Sequence, residues 1–142
     1  MKREIIFRGK RLDNGKWEYG DLVHDDIGGM YVFPNDAENL YIEYRVDPDT
    51  VGQYTGVVDP NGKRVFEGDV IGYTNPDTNI TKTFGVVRWH REGNFYIDTY
   101  STFNYDSGQT ASNVGYMIPS HDTLTIIGNV YDNPELLKQS AI

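Results

Sequence analysis

Short runs in which apolar and polar residues alternate, each closed by Gly, Pro, Asn or Asp, fill most of this chain. A period of two places alternate side chains on opposite faces of an extended strand. The pattern predicts strands over 4–11, 16–24, 30–33, 41–46, 52–58, 64–66, 70–73, 83–89, 95–100 and 124–130. Between them stand the turn formers Asp13-Asn14-Gly15, Asp25 to Gly29, Asp47-Pro48-Asp49, Asp59 to Lys63, Glu67-Gly68-Asp69, Asn75-Pro76-Asp77 and Arg91 to Asn94. Asn-Gly between two such runs signals a hairpin, and a type I′ turn there needs positive φ at both central residues. Residues 34–40 read as a polar loop. Residues 101–122 show no clear period and read as a long loop that holds a strand near 116–118. After the last strand, Asn133 is placed to cap a short helix, with Pro134 at its first position and Glu135 in its positive first turn.

The turn signals fix the architecture further. Asn61-Gly62 and Gly68-Asp69 lie so close that the strand between them is very short. Short, bent strands bury a shared core by wrapping on one another, and closure also removes exposed edges. The expectation is therefore a mainly β fold, a small barrel filled by Phe66, Val70, Val86, Trp89, Phe95, Ile97, Ile126 and Val130. Gly68 supplies a backbone conformation that a Cβ disfavours. Asp69 is placed to accept hydrogen bonds from backbone N–H groups of its turn. NGKWEYGDLV (14–23) echoes NGKRVFEGDVI (61–71) with a one-residue difference in spacing, which leaves room for a bulge in the second copy.

Composition agrees with this picture and narrows the function. Eleven Tyr, six Phe and two Trp favour strands. The 142 residues suffice for one domain with its own core. There is no cysteine, so disulfides and thiolate chemistry are excluded. The N-terminus lacks the apolar stretch of a signal peptide, and no segment is apolar enough to span a membrane, which leads to the expectation of a soluble, cytoplasmic protein. A net charge of -8 disfavours general binding to nucleic acid. The one basic cluster, Lys2, Arg3, Arg8, Lys10 and Arg11, reads first as a solvated strand face.

The run TVGQYTGVVDPNGKRVFEGDVI (50–71) resembles the signature of the YopX family of phage and prophage proteins. IIFRGKRLDNGKWEYGDLV (5–23) is similar to that family's N-terminal hairpin, GVVRW (85–89) to the strand after its variable loop, and TIIGNVYDNPELL (125–137) to its closing strand and helix. The four pieces occur in family order. Val57-Val58-Asp59-Pro60 departs from the Leu-Lys-Asp-Lys type of sequence often found there. The resemblance implies one domain: an N-terminal β extension over 1–49 and an SH3-like barrel with a closing helix over 50–137. It also implies a mobile-element origin and a bacterial cytoplasm, and it assigns no biochemical activity.

Candidate chemistry is sparse. His24 precedes Asp25-Asp26, and His121 precedes Asp122, so imidazole and carboxylate ligands for a metal are present in sequence. No spacing places two histidines on one element, and turn aspartates account for the acids. Glu67 with Asp69, and Glu38 with Glu43, are carboxylate pairs that turns and solvated faces also explain. No nucleophile elbow and no phosphate loop is present. Tyr96, Tyr100, Tyr105 and Tyr116 lie among Asn, Ser and Gly, a mixture that suits a recognition surface, with Tyr100 and Tyr105 as the candidate partner contacts. The reading that follows is a non-enzymatic binding or assembly module without a cofactor. It would take a protein partner or its own copies through strand edges and the 101–122 region. The alternatives are a metal-dependent hydrolase using His24, His121 and nearby aspartates, and a small-barrel nucleic-acid binder using Arg3, Arg8, Lys10 and Arg11.

Overall fold

A computed structural model describes residues 3–34, 42–99 and 113–138. The chain folds as two compact units, Met1–Tyr54 and Thr55–Ile142. In the first, β1 (Phe7–Lys10), β2 (Trp17–His24), β3 (Met30–Pro34) and β4 (Tyr44–Val46) pair in sequence as an antiparallel meander. The pairing then returns to its start. Arg11 bridges Val46, the Leu12 N–H donates to the Arg45 carbonyl at 3.1 Å, and the Asp47 N–H donates to the Lys10 carbonyl at 2.8 Å. The interior of this circuit holds Val32 and Val46, both fully buried. Gly9 faces Val46 so closely that an added Cβ would lie 2.8 Å from Val46 Cγ2. A 3-10 helix, Pro48–Thr50, follows β4. Its buried Thr50 hydroxyl accepts the Lys10 N–H at 2.9 Å and donates to the Asp47 carbonyl at 2.7 Å, so it replaces a ladder bond that β1 would otherwise lack. β5 (Gly52–Val58) pairs with β1 through Gly52 and Gln53, then runs on into the second unit.

There β5 lies beside β6 (Arg64–Phe66). A separate antiparallel sheet has the order β10-β7-β8-β9, built from β7 (Asp69–Thr74), β8 (Thr81–His90), β9 (Asn94–Asp98) and β10 (Leu124–Asn129). Helix α1 (Val114–Ser120) packs against this sheet, and a second 3-10 helix, Pro134–Lys138, follows β10. The core is Val65, Ile71, Val87, Ile97, Val114, Ile118 and Leu124, with Val57, Phe84, Phe95, Met117 and Ile126 packed on it half-buried. Gly68 sits at φ +93, under the Tyr131 ring. Its N–H donates to the Val87 carbonyl and its carbonyl accepts the Val130 N–H, at 2.8 and 2.9 Å, so one left-handed residue joins the β6–β7 turn to β8 and to the chain after β10.

The fold is mainly β, and each strand expected within the described residues, save the one near 116–118, is present with ends shifted by a few residues. Among the described residues, the strands of the second unit form a four-stranded sheet and a β5–β6 pair. Three expectations need correction. The Asn-Gly turns are not type I′: among the described residues Asn79 is the one non-glycine at positive φ, while Gly15 and Gly62 carry φ +72 and +81. Both are longer loops with a single left-handed glycine; the second closes through Gly62 N–H to Asp59 carbonyl and Asp59 N–H to Lys63 carbonyl, a three-residue loop. Residues 116–118 belong to α1 and not to a strand, because Val114 and Ile118, four apart, share one buried face. Asn133 does not act as foreseen either: its side-chain oxygen accepts the Asn129 N–H at 3.2 Å, tightening the turn before the helix.

The predicted core is partly right. Phe66, Val70, Val86 and Ile97 are buried; Phe95, Ile126 and Val130 are half-buried. Trp89 is 52% exposed. It shares the core-side face of β8 with Val87, but it sits toward the hairpin tip, where the strand outruns the layer packed on it; there it meets Phe95 edge-to-face, with ring centroids 4.8 Å apart. The close approach of Gly9 to Val46 gives a direct test. Gly9→Ala is expected to lower the stability of the fold by about 1–3 kcal/mol, the typical cost of overpacking, read as a drop in the urea midpoint. A variant as stable as the parent would show that the two strands do not approach this closely.

Candidate functional site

The second unit carries an open groove of about 470 Å³ between the end of β5 and the end of α1. One wall is Gly56, Val57, Val58, Asp59 and Pro60; the other is Ile118, Pro119 and Asp122. Its first wall is shaped by a local irregularity. The Thr55 hydroxyl donates to the Val65 carbonyl at 2.8 Å and accepts the Val57 N–H at 3.2 Å, while Gly56 adopts φ +88. A side chain thus stands in the β5–β6 ladder, and the strand bends where it meets the groove.

Asp59 fixes the end of that wall. Its side chain is buried, at 3% exposure. Oδ1 accepts the N–H groups of Asn61 and Lys63 at 3.0 and 2.9 Å, and Oδ2 accepts the Ile126 N–H at 3.1 Å. Two of these bonds shape the turn, and the third ties the turn to β10. A buried carboxylate is tolerable when such bonds replace its hydration. The other wall ends on a helix stop: Pro119 has no N–H to continue the α1 ladder, and the His121 ring Nδ1 lies 2.8 Å from the Met117 carbonyl. Asp122 follows, exposed, and among the described residues it has no ion-pair partner.

The residues singled out from sequence distribute as follows. Asn61 and Gly62 form the exposed tip of the Asp59 turn. Gly68 has the positive φ expected of it, and Asp69, 2% exposed, accepts the Phe66 N–H at 2.7 Å, as its turn requires. Both are structural. His24 is exposed at the end of β2 in the first unit, and His121 and Asp122 follow α1 in the second. Among the described residues no group of three or more His, Asp or Glu is placed to hold a metal ion, so the metal-hydrolase reading has no geometric support. Lys2, Glu38, Tyr100 and Tyr105 lie outside the described residues. Tyr116 is exposed on α1, and Tyr96 is half-buried, which pushes its hydroxyl above the ordinary phenol value.

The basic cluster is engaged by the chain itself. The Arg8 guanidinium, buried, stacks 4.6 Å from the Trp17 ring centre, and Lys10 Nζ lies 5.8 Å from the same ring. Arg11 pairs with Asp13 at 2.6 Å and with Glu18 at 3.5 Å, and stands 4.0 Å over the Tyr44 ring. Its hydrogen bond to Asp13 raises the guanidinium further and holds the Asp13 carboxyl below its ordinary value. Arg3 is exposed. Sequence reasoning found Asp122 for another reason and missed Val57, Val58, Pro60, Ile118 and Pro119 as a site. The two walls lie about sixty positions apart, and no local pattern links them.

A model of the YopX protein family matches residues 6–138. The crystal structure of protein EF1440 from Enterococcus faecalis is similar in fold, with a TM-score of 0.57 and 21% identity over 96% of this chain and 99% of that one. No curated protein matches the chain.

Two outcomes are expected from the carboxylates. Asp59→Ala leaves three N–H groups without their acceptor and is expected to destabilise the fold by about 3 kcal/mol, read from urea unfolding; a loss below about 1 kcal/mol would remove Asp59 from its organising role. Asp25 is a second case, in the first unit. Its Oδ1 accepts the N–H groups of Gly29 and Ile27 at 2.7 and 3.0 Å, and the Tyr31 hydroxyl donates to Oδ2 at 3.0 Å. The Gly29 bond, first, holds this carboxyl below its ordinary value of 3.8, and the Asp25 bond raises Tyr31. A carboxyl lowered on folding adds stability above that ordinary value and loses it as pH falls through the lower folded value. Asp25→Asn is therefore expected to flatten the acid limb of thermal stability below pH about 4, modestly because the loop faces solvent. An unchanged slope would contradict the assignment.

Proposed function

The chain belongs to the YopX family, and on that footing we propose that it is a non-enzymatic binding or assembly module of phage or prophage type, which holds a partner protein in the groove between β5 and α1. The observation that carries this reading is the groove itself. Its walls are largely apolar, and both oxygens of its buried carboxylate already accept backbone N–H groups of the same unit. Such a surface suits recognition by shape and apolar contact. The family resemblance supports an SH3-like arrangement of the second unit and a bacterial cytoplasm as its setting. Among the described residues no helix is long and apolar enough to cross a membrane. The nucleic-acid alternative draws less support, since Arg8, Lys10 and Arg11 already contact the chain's own aromatic rings and the net charge is -8.

Site-specific photo-crosslinking tests the proposal. A benzophenone amino acid placed at Val58, in the groove, is compared in a bacterial lysate with the same probe at Asp77, at an exposed loop tip. The expected result is a discrete adduct of defined mass from position 58 that position 77 does not give. The same diffuse labelling from both positions would overturn the module reading.

A further inference from the structure

We infer that the occupant of this groove is an extended segment of another protein, apolar and carrying Lys or Arg, which adds as a strand along 56–58 of β5; the inference rests on the binding-module reading above. Three observations lead there. First, β5 has one edge available at this point. β6 lies on one side, and on the other β1 pairs with Gly52 and Gln53; among the described residues no strand pairs with 56–58 on that side. An unpaired edge offers backbone N–H and C=O groups to a visiting strand. Gly56 carries no side chain of its own to crowd that edge.

Second, the walls select the visitor. Val57 and Val58 on one side, and Ile118 and Pro119 on the other, offer apolar contact to the alternate side chains of a strand. A small polar metabolite would need several convergent polar groups, and Asp59 has both oxygens occupied. Third, charge selects its sign. Asp122 lies on the groove without an ion-pair partner among the described residues, on a chain of net charge -8. A basic segment is attracted, and a second copy of this acidic chain is repelled.

The test uses the full chain, panned against a displayed library of random dodecapeptides. The peptides recovered are then measured by fluorescence anisotropy on the parent, on Asp122→Lys and on Val58→Asp. Both substituted residues are exposed, and circular dichroism checks that the variants fold. The expected peptides are rich in β-branched residues with Lys or Arg. Asp122→Lys is expected to weaken them about fivefold, the scale of one exposed charge pair and its reversal. Val58→Asp is expected to alter their affinity as well. Failure to recover any peptide, recovery of acidic or charge-indifferent peptides, or equal binding by all three proteins would overturn the inference. So would a dimer, seen by light scattering, that Val58→Asp dissolves, since the occupant would then be a second copy. Each of these results leaves the crosslinking test of the module reading to stand or fall separately.

Discussion

The buried carboxylate of Asp59 is the constraint on which the second unit depends. Removed from water, an aspartate must have its lone pairs met by donors, and here three backbone N–H groups meet them. Two of the donors belong to its own turn and shape a three-residue loop with Gly62 at its left-handed position. The third, Ile126, is sixty-seven residues away on β10. One side chain therefore closes a hairpin and fixes that hairpin against the sheet. The β5 wall of the groove is the direct product of this attachment.

The same device recurs at smaller scale. Asp69 accepts the Phe66 N–H, Asp47 accepts the Asp49 N–H, and Asp25 accepts two N–H groups and a tyrosine hydroxyl. Acidic side chains that look from the sequence like solvated turn residues or metal ligands are here acceptors for turn backbone. This accounts for part of the chain's acidity without catalysis. It also explains how so many tight reversals are stabilised in a chain without disulfides.

Strands and turns were readable because their determinants are local. Alternation places the core face, and Asn-Gly or Gly-Asp marks the reversal, so 4–11, 16–24 and 64–73 were legible. Turn type was less so: Asn14 and Asn61 invited a two-residue loop, but side chains set longer ones, Asn14 accepting the Lys16 N–H in the first and the upstream Asp59 gathering the second. Helix α1 was hidden by Gly115 and Pro119, poor helix residues that tertiary packing of Val114 and Ile118 overrides. Trp89 has the right parity for the core and the wrong distance along the strand, which alternation cannot show. The groove was illegible for a stronger reason: it joins two stretches that meet through the fold alone.

Amide hydrogen exchange at Ile126, followed by NMR, tests the central claim most directly. If Asp59 holds this N–H, the Ile126 amide exchanges as slowly as its β10 neighbours that are bonded into the β7 ladder, and replacing Asp59 speeds it selectively. Exchange at the rate of an exposed strand edge in the parent protein would contradict the account, because the turn would then be free of β10 and the groove would have no fixed wall.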